Sequence, residues 1–325
     1  MRYLDRDDLP ASLLGFGCGP VLGRVGRNDS LRAMGAAWDA GINLFDTARS
    51  YGYGEAEGLL GEFLAGKRER AVILTKFGIW PEQQQGWKQM VKPMVRGLLK
   101  LAPGARALVR RGAAGQMTAN QFTVPVLRKS LEESLRKLRT EYVDVLFLHS
   151  APASVMEQAD LMAELERVVA EGKVRFAGIS AEPEVIGVAI DLAMPVLRAM
   201  QFPANVFDLA VTEHTGRSTA GPFFVANHPF GGVMRVAESK RLIAELAGSA
   251  EISQELREKL EGGSSLLLAD VVFSVILRGT GIDAVVPAMM KVENLLTNVK
   301  AISESRFTDV EVMVLRKSFL AAPGV

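Results

Sequence analysis

The feature that most limits what this chain can fold into is a series of short, almost wholly apolar runs set between helix-patterned segments. AVILTKF (71–77), VDVLFLHS (143–150) and VRFAGIS (174–180) carry apolar side chains at odd and even positions alike. A strand with one wet face alternates apolar and polar residues. Runs that do not alternate belong to a sheet covered on both faces, which is the habit of parallel sheets. LLGFG (13–17), NLFDTA (43–48), Val196–Phe202, FFVANHP (223–229) and DAVVPAM (283–289) extend the series, giving roughly eight strands. Between them lie helix patterns, among them SLRAMGAAWDA (30–40) stopped by Gly41, VPVLRKSLEESLRKL (124–138) and SSLLLADVVFSVILRG.

Parallel neighbours need a crossover, so this repetition predicts a (β/α)8 TIM barrel with a long loop inserted after strand 3 and extra C-terminal helices. GFGCG (15–19) has glycines like those of a dinucleotide fingerprint, but no matching helix start or acidic partner follows. The 325 residues are read as a single domain, 1–325. Two stretches break the rhythm. Residues 81–123 are far longer than a usual connection. They hold seven bases (Lys88, Lys92, Arg96, Lys100, Arg106, Arg110, Arg111) against one acid, Glu82, and are read as a lid. In 203–222 a crossover helix is expected, yet only a short stretch containing Gly and Thr is available.

Lys and Arg total 38 against 37 Asp and Glu, a net charge of +1, which argues against a nucleic-acid-binding surface spread over the protein. Cys18 is the single cysteine, so no intrachain disulfide and no cysteine-based zinc site can form. The three histidines, His149, His214 and His228, form no local cluster, and no metal is expected. The start, MRYLDRDDLP, is acidic where a signal peptide is apolar, and the apolar stretch from Leu266 to Leu277 is broken by Asp270. These features predict a soluble, cytoplasmic protein without an integral membrane segment. They leave the oligomeric state open.

In a parallel barrel the C-terminal strand ends converge on one mouth, where chemistry is done. Strand two ends in Asp46, with Tyr51 five residues on. Strand three ends at Lys76 and strand four at His149. A phenol is a poor acid or base near neutrality until its anion is stabilised, and an adjoining ammonium does that. A carboxylate holds the ammonium charged, and an imidazole can orient a carbonyl. Such a set can move a proton but not a hydride, so a nicotinamide or flavin is implied.

GINLFDTARSYGYGEAEGLLGEFL closely resembles the aldo-keto reductase signature around a catalytic Asp and Tyr. TKFG is similar to the family's lysine strand and LRKSLEESLRKLRTEYVDVLFLHS to its histidine strand with the preceding helix. GKVRFAGIS and QFPANVFD follow in the expected order. The resemblance implies the same barrel and NADP(H)-dependent interconversion of a small-molecule carbonyl and alcohol. Asp46, Tyr51, Lys76 and His149 match the family tetrad, with Tyr51 as general acid/base.

The cofactor half matches less closely. The family's Ser-Asn pair after strand five is Ser180-Ala181 here, and Gln201 is retained at the next contact. NHPFGG puts Asn227 and His228 where an aromatic often stacks on the nicotinamide. The backbone from Pro229 through Phe230 to Gly232 can cradle a pyrophosphate. PAMMKVENLLTN keeps Asn298 from the adenosine-phosphate cluster and offers Lys291 as a phosphate partner, while Met289 and Met290 replace polar groups. NADP(H) is favoured and NAD(H) remains open. Two alternatives stand beside the oxidoreductase: a nucleotide-binding or regulatory protein on the same barrel, and a lyase or isomerase using Lys76 as a Schiff base.

Overall fold

A computed structural model describes residues 1–4, 8–81, 117–118, 121–213 and 221–322. Eight parallel strands form one sheet in chain order: β1 (Phe16–Gly17), β2 (Leu44–Asp46), β3 (Val72–Phe77), β4 (Val143–His149), β5 (Val174–Ser180), β6 (Leu197–Pro203), β7 (Phe223–Asn227) and β8 (Ala284–Val286). A parallel bridge between Leu14 and Val285 brings β8 back against the chain entering β1, so the sheet rolls into a barrel.

Ten α-helices lie among the described residues. The first five are α1 (Arg27–Asp39), α2 (Ala56–Phe63), α3 (Val124–Leu138), α4 (Ala159–Ala170) and α5 (Pro183–Leu192). They are followed by α6 (Gly232–Ala247), α7 (Gln254–Leu260), α8 (Ser265–Leu277), α9 (Val292–Ser303) and α10 (Asp309–Ala321). None is long and apolar enough to cross a membrane.

Both strand faces are buried, and the period of two decides what each face does. Leu44, Val72, Leu74, Val145, Phe147 and Val225 fill the barrel. Phe45, Ile73, Leu146, Leu148, Phe202 and Phe224 pack against the helix layer. Counting by twos along the inward set, the next inward positions at the C-terminal ends are Asp46, Lys76, His149, Gln201 and Asn227. The register places His149 beside Ser180 and Ser180 beside Gln201. Leu9 and Ala11 join the inner cluster from the other end, where the Asp8 carbonyl accepts from Arg175 near the start of β5. The polar residues thus line one open end while apolar residues close the other.

Departures from the repeat fall where the sequence breaks rhythm. Trp80–Pro81 pairs antiparallel with Met117–Thr118. The expected lid between them, with its row of bases, lies outside the described residues. Between β6 and β7 the described chain makes only a short 3-10 turn, Ala210–Glu213. Between β7 and β8 it makes three helices, α6 to α8, where, among the described residues, a single α-helix serves each of the first five connections.

Candidate active site

At the mouth, Lys76 and Asp46 form a buried pair. The Lys76 Nζ donates to Asp46 Oδ1 at 2.5 Å and to the Thr47 carbonyl at 2.9 Å. The same Asp46 oxygen accepts from Gln201 Nε2 at 3.0 Å, and Gln201 Oε1 accepts from the Ser180 hydroxyl at 2.9 Å. One hydrogen-bonded chain therefore crosses the barrel from β5 through β6 to β2 and β3. Charge-assisted bonds in a site this dry are stronger than their counterparts in water. Burial alone lowers the Lys76 pKa, but Asp46 and Tyr51 outweigh it and the net direction is upward. The amine is held as ammonium, which is not nucleophilic, so the Schiff-base alternative finds no support here.

Tyr51 opens a tight turn, Tyr51–Gly54, in which Gly52 has φ 58° and Tyr53 φ 59°. A Cβ on Gly52 would fall 2.6 Å from the Val21 carbonyl oxygen, so the residue after Tyr51 must be glycine. The turn sets the Tyr51 ring with its centroid 5.1 Å from Lys76 Nζ and edge-on to the His149 ring at 6.0 Å. The four residues predicted from the strand ends are thus brought together.

Their electrostatics correct one expectation. Desolvation pushes the Tyr51 pKa up, the Lys76 charge pulls it down and Asp46 raises it again. The net direction is upward, so burial outweighs the ammonium and the phenol is protonated at neutral pH. His149 moves the other way: burial, then the Lys76 charge, pushes it down to about 3, so its imidazole is neutral. His149 Nδ1 is buried without a hydrogen-bond partner among the described residues.

The predicted cofactor residues spread over a wider arc. Ser180 and Gln201 lie within the network just described. Pro229 is buried, and the half-buried Phe230 turns its ring onto Phe273 at 5.4 Å. His228, Gly231 and Gly232 all have positive φ, and among the described residues no side chain caps the N-terminus of α6. Gly232 has φ 88° and, among the described residues, no atom near the site of a Cβ, so an anion can approach the backbone closely. Asn227 Oδ1 is buried and has no hydrogen-bond partner among the described residues. Lys291 is exposed at the N-cap of α9, and Asn298 is buried two turns along that helix, with Met289 buried nearby in sequence. An open glycine turn, an uncapped helix start and unpaired amide and imidazole atoms fit a dinucleotide better than they fit a closed core.

Some participants were not visible as a site in the sequence. Cys18 lies against Asp46, its N–H donating to the Asp46 carbonyl at 2.8 Å, and burial followed by the Asp46 charge pushes its thiol pKa up. Arg49 and Glu57 form a buried ion pair behind the tetrad. The signal available for them was an Arg three residues after Asp46 and a Glu in the first turn of α2.

Comparisons with known proteins follow the same line. Residues 13–318 match the family described as the aldo/keto reductase family. The chain is 24% identical over 331 residues to the uncharacterized oxidoreductase YqkF of Bacillus subtilis (strain 168), covering 97% of this chain and 95% of that protein. Pyridoxal 4-dehydrogenase of Microbacterium luteolum is 33% identical over 153 residues, which cover 46% of this chain and 42% of the relative. The solved holo form of the aldo-keto reductase AKR11C1 from Bacillus halodurans superposes with a TM-score of 0.66 at 22% identity, covering 98% of this chain and 95% of that one. At that identity the likeness speaks for the fold alone.

Proposed function

Since this chain belongs to the aldo/keto reductase family, a family of oxidoreductases that use NAD(P)H, we propose that it interconverts a carbonyl compound and its alcohol with Tyr51 as the proton donor and acceptor. The supporting observation is the buried Asp46–Lys76 pair set against a protonated phenol and a neutral imidazole at one mouth. When bound, a reduced nicotinamide supplies the hydride that no side chain can carry.

The chain's own groups handle the proton. Tyr51 enters reduction in its acid form because burial keeps it there. As its proton passes to the carbonyl oxygen, negative charge grows on the phenol, and the Lys76 ammonium is already positioned to stabilise it. Asp46 keeps Lys76 charged and fixes its direction. His149, neutral across physiological pH, donates a hydrogen bond to the carbonyl oxygen and orients it without competing as an acid. In alcohol oxidation the same phenol takes the proton back.

Ser180, Gln201, the backbone of Pro229, Phe230 and Gly232, Lys291 and Asn298 are proposed to hold NADP(H) or NAD(H), with Lys291 favouring the phosphorylated form. The substrate class is an aldehyde, ketone or sugar-like alcohol, the protein works in the cytoplasm, and residues 1–325 act as one barrel unit. The test is fluorescence titration with NADPH and NADH, followed by multiple-turnover NADPH oxidation with a panel of aldehydes and ketones. Saturable binding with carbonyl-dependent turnover is expected; no binding of either nucleotide contradicts the reading. Binding without turnover instead favours a nucleotide-responsive regulatory barrel, a reading motivated by Ala181, Asn227 and the Met289-Met290 pair.

A further inference from the structure

Behind the tetrad, on the helix-facing side of the barrel wall, lies a buried ionic cluster that the proton chemistry does not use. Arg49 Nη1 donates to Glu57 Oε2 at 2.5 Å, and Thr75 Oγ1 donates to Glu57 Oε1 at 2.7 Å. Arg49 is 3% exposed, Glu57 1% and Thr75 0%. The Arg49 N–H also reaches the Lys76 carbonyl at 3.5 Å, and its guanidinium lies 5.2 Å over the Trp80 ring. A buried ion pair is a weak source of stability, because the desolvation of both charges offsets their attraction and apolar residues of similar volume hold a fold equally well. Its position in the chain is more informative. Arg49 and Glu57 bracket the turn that presents Tyr51, so their bond closes residues 49–57 into a ring with Tyr51 inside it. Thr75, the neighbour of Lys76 on β3, fastens that ring to the strand whose next side chain points into the mouth.

We propose that Arg49, Glu57 and Thr75 are positioning residues that fix the Tyr51 hydroxyl relative to the Lys76 ammonium. The proposal rests on the reading of Tyr51 as proton donor. Each member acts from the outer face: Glu57 couples the two segments, Arg49 supplies its countercharge, and the Thr75 hydroxyl sets the height of the turn along β3. Misplacement by about 1 Å can cost on the order of 100-fold in rate without touching the reacting atoms. The clamp therefore bears on kcat and leaves nucleotide and substrate binding nearly unchanged.

The test compares Thr75→Val, Thr75→Ser and the paired replacement Arg49→Met with Glu57→Leu, which removes both charges together. NADPH and an aromatic aldehyde serve as substrates, with Tyr51→Phe run alongside. Thr75→Val, having lost one hydrogen bond, is expected to lower kcat about threefold to tenfold, with KM and NADPH affinity unchanged. Thr75→Ser restores the hydroxyl and is expected to match the native protein. The paired replacement is expected to lower kcat roughly 10- to 100-fold. It should also move the alkaline limb of the kcat/KM profile to higher pH, because Tyr51 loses part of the downward pull of Lys76. Native kcat in Thr75→Val, or equal losses in Thr75→Val and Thr75→Ser, overturns the clamp; if the paired variant does not fold, this Val–Ser comparison decides alone. A folded paired variant with native kcat and an unshifted profile overturns it as well. Native turnover in Tyr51→Phe instead removes the underlying reading, which keeps the two failures apart.

Discussion

The two halves of the mouth are built differently. On the side of β2, β3 and β4, Asp46 and Lys76 are buried and tied to their neighbours, Lys76 to Asp46 and Thr47, Asp46 on to Gln201, with the half-buried Tyr51 and His149 beside them. On the side of β7, β8 and α9, the polar groups are separate and partly exposed: Lys291 stands in solvent, and among the described residues Gly232 opens a bare helix start and Asn227 Oδ1 has no partner. The first half is organised before any ligand arrives. The second presents backbone N–H groups and isolated side chains. Proton transfer tolerates little misalignment, whereas a nucleotide held at many points tolerates the loss of several.

The sharpest break in this contrast comes from Lys76→Met. It removes the ammonium from the phenol and leaves Asp46 as a buried, uncompensated carboxylate. Turnover should fall by about 100- to 10,000-fold, and stability by about 3–5 kcal/mol, read by steady-state rates and chemical unfolding. A variant of native stability means the pair is less dry than its geometry indicates.

His149 measures that dryness by proton linkage. Its folded pKa of about 3 lies below the unfolded value, which is roughly 6.5. The stability it contributes is present above the unfolded value and is lost as pH falls below it, because the unfolded chain binds the proton first. Urea unfolding of the native protein should lose about 2 kcal/mol between pH 7 and pH 5 from this one group. His149→Gln should lack that part of the loss; an identical pH dependence in the two proteins contradicts the buried neutral imidazole.

The smallest effect is expected on the open side. Lys291 is exposed, so water screens its attraction for a phosphate. Lys291→Met should weaken NADPH binding by about tenfold while leaving NADH binding unchanged, read by fluorescence titration. Equal losses for both nucleotides, or no loss for NADPH, remove Lys291 from the phosphate site.

What the sequence made legible follows the same division. Asp46, Lys76 and His149 could be found because each ends an apolar run and the period of two turns it inward. Tyr51 was legible from its place in the loop five residues after Asp46 and from the motif that surrounds it. The depth of its burial was not, and the direction of its pKa depends on that depth. Arg49 and Glu57 carry no such mark: an Arg in a loop and a Glu in the first turn of a helix ordinarily face water. Their burial emerges only when α2, β3 and Trp80 meet around them. The segment that forms α6 gave almost no signal because only Ser239 and Ile243 of its residues are buried, too few to print an apolar stripe. The cofactor side is harder to read for a related reason. Backbone N–H groups do much of the proposed holding there, and a backbone group leaves little trace in residue identity beyond a permissive glycine.

The central claim is that Tyr51 delivers the proton, and a single-turnover measurement with Tyr51→Phe tests it most directly. The variant keeps the ring and loses only the hydroxyl, so NADPH affinity should stay within about threefold of native. With the nucleotide bound and a carbonyl substrate added, hydride transfer followed by loss of NADPH absorbance should slow by about 100-fold or more. A native transfer rate in this variant contradicts the account.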